Sequence, residues 1–148
     1  MNRFFKYGIA LAAIGLLFCA CKKEDPTLNY PKISNIEVMP DTVVEFADTV
    51  IISFDYEDHN GDLGFQDPNT PSITVKDSRL ENPDYYHLQP LAPLNVEVPI
   101  QGRLQIKLNN LFIIGNADTE TLNLKVQLKD REGNLSNELT SGDIIVVR

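Results

Sequence analysis

Acidic side chains crowd one short segment, and they are the first candidates for chemistry in this chain. Five carboxylates fall within 13 residues, at Asp55, Glu57, Asp58, Asp62 and Asp67. Carboxylates this close repel one another unless water solvates them or a cation is shared between them. Hard oxygens from Asp, Asn and backbone carbonyls are the ligands that Ca²⁺ prefers. The segment is therefore a candidate calcium site.

A second interpretation of the same segment needs no cation. Asn60-Gly61 is a common tight-turn pair, so the acids could simply solvate a turn after a strand that ends at Tyr56. The spacing does not fit a helical calcium hand, but it resembles the Asp-x-Asn-Gly-Asp loops of extracellular β-domains, some of which bind calcium between strands. The solvated turn is the preferred interpretation. If calcium binds, the predicted ligands are Asp55, Asp58, Asn60 and Asp62, with Asp130 from a second turn.

Catalytic motifs are not evident in the sequence. The two histidines, His59 and His87, have no Ser–His–Asp spacing, nucleophile elbow or His-x-x-x-His pair around them. The acids are clustered along the chain rather than set for opposition across a cleft, and no glycine-rich phosphate loop occurs. We therefore predict that the protein is not an enzyme, with a small envelope hydrolase as the alternative.

Two adjacent tyrosines, Tyr85 and Tyr86, lie in a proline-rich segment and are candidate binding residues. Exposed aromatic rings can stack on sugars or anchor a protein partner. They can equally close one end of a hydrophobic core, and a chain without tryptophan has few other large aromatics for that purpose. Core packing is the preferred interpretation.

The N-terminal segment predicts export. A basic head containing Arg3 and Lys6 precedes an apolar run of 13 residues, Gly8 to Ala20. A helix of that length rises only about 20 Å, against a bilayer core of roughly 30 Å. The run is therefore short for a membrane span and has the length of a signal-peptide core.

Residues 17–21, Leu-Phe-Cys-Ala-Cys, resemble the end of a bacterial lipoprotein signal. Ala20 is the small residue before the obligatory cysteine, although Phe18 stands where that family usually has Leu. The resemblance implies cleavage before Cys21 and its acylation, so that fatty chains such as palmitate hold the protein in a lipid bilayer. The charges that follow, Lys22-Lys23-Glu24-Asp25, resemble those of Bacteroidota lipoproteins. That resemblance implies the outer membrane and a domain facing the cell surface.

Charge and cysteine content argue against several kinds of partner and site. Cleavage would remove two of the 13 basic residues and none of the 21 acids, leaving 128 residues with a formal charge of −10. Such a domain should repel nucleic acid and anionic headgroups. Cys19 would leave with the signal and Cys21 would carry lipid, so we expect neither a disulfide nor a thiolate site.

Hydrophobic alternation with a period of two predicts strands along the rest of the chain. Runs at 50–56 and 122–128 are the clearest. With Gln101-Gly102 and 130–134 as turns, the pattern gives about seven short strands and no amphipathic helix, which favours a single antiparallel β-sandwich. The other predicted strands lie near residues 33–38, 73–75, 94–98, 104–108 and 144–147.

The segment 126–136 resembles the last hairpin of bacterial immunoglobulin-like domains. Alternating apolar residues are followed by Asp130, then by Gly133-Asn134, then by Ser136. The turn has a structural reason, since glycine accepts a positive φ and Asp and Asn bond to the local backbone. The resemblance implies an immunoglobulin-like sandwich and says nothing of a ligand.

Together these features predict an order of segments and a role. Residues 1–20 are a lipoprotein signal peptide, 21–31 a lipidated tether and 32–148 the immunoglobulin-like domain. We expect a membrane-anchored cell-surface lipoprotein with a non-catalytic binding or assembly role and a protein or glycan partner. The alternatives are a calcium-stabilised adhesion module and the small envelope hydrolase.

Overall fold

The computed structural model describes residues 26–148, so the predicted signal peptide and Cys21 lie outside the described residues. Within that range the chain forms ten strands and one short 3-10 helix, Pro26–Asn29, and no helix in it has the length and apolar character that a membrane crossing needs. The strands are β1 (Lys32–Met39), β2 (Thr42–Val44), β3 (Thr49–Asp58), β4 (Ile73–Asp77), β5 (Asp84–Tyr86), β6 (Ile100–Asn109), β7 (Thr119–Leu122), β8 (Leu124–Leu128), β9 (Leu139–Thr140) and β10 (Ile144–Val147).

The strands form three sheets, with the orders β1-β3-β6, β2-β10-β7 and β5-β4-β8-β9. Every pair is antiparallel except β10 with β2, which run parallel. The longest ladder joins β3 to β6 from the pair Thr49 and Asn109 to the pair Asp58 and Ile100. This confirms the prediction of an all-β fold with antiparallel sheets; the parallel pair of β10 and β2, and ten described strands in place of about seven, depart from it.

One hydrophobic core lies between the sheets. The two-residue period of the strands determines which side chains point into it. Val50, Ile52 and Phe54 alternate along β3 and are all fully buried, as are Val126 and Leu128 on β8. All three sheets contribute to the same cluster of buried side chains. Because burial of apolar area is the main favourable term in folding, this shared core holds the sheets together.

The alternating run at 122–128 is two strands rather than one. The chain breaks at Asn123, where the Asn123 amide donates to Ser78 Oγ (3.1 Å) and the Ser78 amide donates to the Asn123 carbonyl (3.0 Å). Before the break β7 pairs with β10, and after it β8 pairs with β4. The hydrophobic alternation continues across Asn123 without a break, so the sequence pattern did not predict this change of sheet.

Two further predictions were wrong. Residues 94–98 do not form a strand but an irregular segment, in which Val96 is 53% exposed and the Val98 amide donates to the Asn60 carbonyl (3.3 Å). Gln101-Gly102 is not a turn, because both residues lie inside β6. Gly102 faces Tyr56 across the ladder, and a Cβ there would crowd the tyrosine ring.

Candidate functional site

The acidic loop, residues 58–64, begins where β3 ends. Asp58 is only 2% exposed, and its Oδ2 accepts a hydrogen bond from the Leu63 amide (3.1 Å). Gly61 has a φ of +71°, and a Cβ at that position would overlap the carbonyl oxygen of Val98. The loop therefore folds back over its own first residue, and its turn depends on glycine.

A second turn, residues 130–134, lies against the acidic loop and is called here the β8 turn. Leu63 pairs with Asp130 in an isolated antiparallel bridge. The Arg131 amide donates to the Asp62 carbonyl (3.2 Å), and the Glu132 amide donates to Asp62 Oδ2 (3.3 Å). Two segments that are about 70 residues apart in sequence are thus fastened by backbone and carboxylate hydrogen bonds.

Asp130 organises the β8 turn from inside. It is fully buried, and its two oxygens accept from the Asn134 amide (2.7 Å) and from Asn134 Nδ2 (2.9 Å). Gly133 has the positive φ, +91°, that the sequence predicted for this position. These bonds give Asp130 and Asn134 a turn-stabilising role.

Three oxygens of the acidic loop are buried without a hydrogen-bond partner among the described residues: Asp58 Oδ1, Asn60 Oδ1 and Asp62 Oδ1. Asp62 itself is only 8% exposed. A buried polar atom without a partner costs free energy, and a charged one costs more. The only other buried side-chain atom of this kind in residues 26–148 is Ser72 Oγ, at the approach to β4.

Burial and like charge raise the pKa values of these acids. Burial raises the pKa of Asp62 to about 6, and the charges of Asp130 and Asp58 add to the shift. Burial also raises the pKa of Asp58; backbone hydrogen bonds from its own loop oppose that rise, and the charge of Asp130 adds a smaller one. The carboxylates of the acidic loop and the β8 turn are therefore close enough to repel one another.

Arg131 is the cation nearest to this group, yet it does not pair with it. Its Nη2 donates to the Gly61 carbonyl (3.3 Å) and its Nη1 to the Gly64 carbonyl (3.2 Å). Its charge lowers the pKa of Asp62 only as the weakest of several influences. Among the described residues, no salt bridge includes Asp58, Asp62 or Asp130.

Asp55 lies apart from the other predicted ligands. Its carboxylate accepts from Asn35 Nδ2 (2.8 Å) and from Arg103 Nη1 (2.8 Å) on the partly exposed face of β3. The hydrogen bond from Asn35, followed by Arg103, holds the pKa of Asp55 below its usual value. The structure thus groups Asp58, Asn60, Asp62 and Asp130 and leaves Asp55 outside the group.

The donor set of the acidic loop limits which ions it could hold. In residues 26–148 no three His, Cys, Asp or Glu side chains converge closely enough to hold a metal ion by themselves. A cation at the loop would need the Asn60 amide oxygen in addition to Asp58 and Asp62. That mixture of carboxylate and neutral oxygen suits Ca²⁺ and does not suit zinc.

Solvent reaches the acidic loop through an open depression of about 490 Å³. Its lining includes Asn60 and Asp62 from the acidic loop, Arg131 and Glu132 from the β8 turn, and the further carboxylate of Glu97. An ion or water molecule can therefore approach the loop from the surface.

The two predicted binding tyrosines are separated by their strand. Neighbouring residues on a strand point to opposite faces. Tyr85 is 64% exposed, whereas Tyr86 is half-buried, packs against the core, and has its pKa raised by burial. Tyr86 therefore has a packing role, and Tyr85 alone presents a ring to solvent.

An exposed aromatic pair that sequence reasoning missed lies near the end of the β3–β6 ladder that is opposite the acidic loop. The rings of Phe46 and Phe112 stack with centroids 5.9 Å apart and an interplanar angle of 1°. Phe46 is 64% exposed and has a φ of +58°, a conformation that costs energy for a bulky residue. Neither residue belongs to an alternating run, so no periodic pattern pointed to them.

His87 has a local structural role, since its Nε2 lies 2.7 Å from the Phe65 carbonyl oxygen and ties two loop segments together. His59 is an exposed residue of the acidic loop.

No protein-family model matches this chain, and neither a curated protein nor a solved structure matches it.

Proposed function

We propose that this chain is a lipid-anchored domain of a bacterial outer membrane, with a non-catalytic binding or assembly role at the cell surface. The observation that carries the proposal is the segment 17–21, in which the small residue Ala20 directly precedes Cys21. Ala20 ends the 13-residue apolar run, and a basic head precedes that run. Acylated Cys21 is the anchor, and the bilayer is the first partner.

The position of the domain relative to Cys21 supports an anchored role. β1 begins at Lys32, so ten residues separate it from the acylated cysteine. Ten residues span at most about 35 Å when fully extended. The domain would therefore work within a few nanometres of the membrane surface.

We further propose that the all-β domain is an immunoglobulin-like sandwich. Its support is the shared core between the sheets and the β8 turn, in which Asp130 and Asn134 form the hydrogen bonds expected at the last hairpin of such domains. Domains of this architecture present loops and sheet faces to partners and leave the core for stability.

The exposed stack of Phe46 and Phe112 supports a binding role. Aromatic rings are enriched where proteins bind partners, because each supplies a large rigid contact area. Ile114, 50% exposed, follows in the same segment as Phe112. A strained, exposed aromatic that adds little to the core is better explained by contact with a protein or glycan than by folding.

Metabolic labelling with a palmitate analogue tests the anchor. We expect label on the wild-type protein and its recovery with the outer-membrane fraction. Cys21→Ser should abolish the label, while the matched control Cys19→Ser should keep it. Label on Cys21→Ser, or none on the wild type, would contradict the proposal.

Protease treatment of intact cells tests the outward orientation. We expect the domain to be cut from whole cells. Replacement of residues 22–25 by alanine should protect it by leaving it on the periplasmic side. Protection of the wild-type domain would restrict the proposal to a periplasmic lipoprotein.

A further inference from the structure

The acidic loop contains buried oxygen atoms that no donor or cation among the described residues partners. Asp58 and Asp62 are more than nine-tenths buried, and each leaves one carboxylate oxygen without a donor. The Asn60 oxygen between them is also buried and unpartnered. A fold normally pairs such atoms with a donor, a water molecule or a cation.

The partnered oxygens show how the loop is held in place. Asp58 Oδ2 accepts from the Leu63 amide (3.1 Å), and Asp62 Oδ2 accepts from the Glu132 amide (3.3 Å). One oxygen of each carboxylate thus fixes its orientation, and the other remains available. Carboxylates that bind metal ions are commonly arranged in this way, with one oxygen held by a hydrogen bond and the other free to contact the ion.

Local charge favours a cation at this place. Asp130 is buried next to Leu63 of the loop and both its oxygens already accept from Asn134, so it contributes charge without being needed as a ligand. Glu97 and Glu132 line the open depression next to Asn60 and Asp62. Arg131 donates to loop carbonyls and leaves the carboxylates unneutralised.

We propose that Asp58, Asn60 and Asp62 bind one Ca²⁺ ion through their Oδ1 atoms, at the contact between the acidic loop and the β8 turn. Calcium accepts six to eight oxygens in irregular geometry, and water from the open depression completes the shell. Magnesium demands a smaller octahedral site and fits less well. The ion neutralises the buried acids of the loop, and one of them, Asp62, also accepts a hydrogen bond from the β8 turn, so the ion stabilises the fold. This inference does not depend on the lipid anchor.

The test uses the purified full chain, kept in detergent and dialysed against a chelator. Titration calorimetry with CaCl₂ should find one ion per chain, and magnesium should bind at least tenfold more weakly. Saturating calcium should raise the midpoint of thermal unfolding by about 5–10 °C.

Asp62→Asn is the diagnostic variant, since it removes one charge and keeps the shape. It should weaken calcium binding at least tenfold. In chelator it should melt at or above the wild-type temperature, because a buried like charge is gone; this also shows that the variant is folded. Asp58→Asn should behave in the same way.

Asp67→Asn is the matched control. Asp67 belongs to the same acidic run, but it is exposed and its oxygens accept from Asn69 and Thr70. Its removal should leave calcium affinity within about twofold of the wild type. The proposal is overturned if millimolar calcium neither binds nor raises the melting temperature, if magnesium binds equally well, or if Asp67→Asn loses as much affinity as Asp62→Asn.

Discussion

The guanidinium of Arg131 donates to the carbonyl oxygen of Gly61 (3.3 Å), so the β8 turn is fastened over the acidic loop. The same side chain reaches the Gly64 carbonyl (3.2 Å). Its cation therefore stabilises the loop backbone at a place where three buried acids repel one another. This contact explains how a glycine turn and an aspartate turn from distant parts of the chain form one site.

Removal of the Arg131 guanidinium, which donates to two carbonyls of the acidic loop, should lower the stability of the fold. In chelator we expect Arg131→Met to lose about 1–3 kcal/mol of unfolding free energy, because charged hydrogen bonds and a positive neighbour of Asp62 disappear together. Arg131→Lys keeps the charge without the fork and should lose less. Urea denaturation measures both, and an equal loss in the two variants would show that the charge is irrelevant.

The loop turn should not tolerate a side chain at Gly61. Gly61→Ala forces a positive φ on alanine and drives a methyl group into the Val98 carbonyl, so we expect a loss of about 2 kcal/mol or more. Gly142→Ala is the control, since no heavy atom lies within 4 Å of its Cβ position. It should change stability by less than about 0.5 kcal/mol. Similar melting temperatures for the two variants would contradict the described loop.

Glu120 should stabilise the fold at neutral pH and not in acid. It accepts from the amides of Ile114 (3.0 Å) and Gly115 (2.7 Å) and from Arg79 Nη1 (2.7 Å). These bonds, the two amides first, hold the pKa of Glu120 below the usual value of a glutamate. A lowered carboxyl pKa gives stability that is present above the unfolded-state pKa and is lost as the pH falls through the folded-state value.

Glu120→Gln should therefore melt a few degrees below the wild type at pH 7, with the gap shrinking towards pH 3. Glu138→Gln is the control, because Glu138 makes only an exposed ion pair with Lys125. It should differ little from the wild type across this range. A gap for Glu120→Gln that stays constant with pH would count against the assigned role.

Phe46 should be dispensable for folding. Phe46→Asn loses one ring of the stack, but asparagine tolerates the positive φ better, so the net change should stay within about 1 kcal/mol. Phe54→Ala, in the buried core, should cost about 3–5 kcal/mol. Thermal melts compare the two, and a loss at Phe46 as large as that at Phe54 would show that the exposed ring serves the fold.

The sequence predicted the sheets better than it predicted the site. The alternation at 50–56 corresponds to β3, because burial of one face imposes a period of two, and the apolar run at 144–147 corresponds to β10. The same period at 94–98 predicted a strand that does not form. That segment instead contacts the acidic loop through the hydrogen bond from Val98 to Asn60.

Spacing along the chain could not decide which acids lie together. Asp55 and Asp58 are three residues apart, yet Asp55 pairs with Arg103 across the ladder and Asp58 turns inward at the end of β3. Asp130 lies next to Leu63 through an isolated bridge that no local pattern encodes. Likewise, the stack of Phe46 on Phe112 joins two loops 66 positions apart.

Intact-mass measurement of the protein extracted from its own membranes tests the anchor most directly. The proposal predicts a chain that begins at Cys21, lacks residues 1–20, and carries the added mass of a diacylglyceryl group and a further acyl chain. A protein that retains residues 1–20, or that begins at Cys21 with an unmodified thiol, would contradict the account.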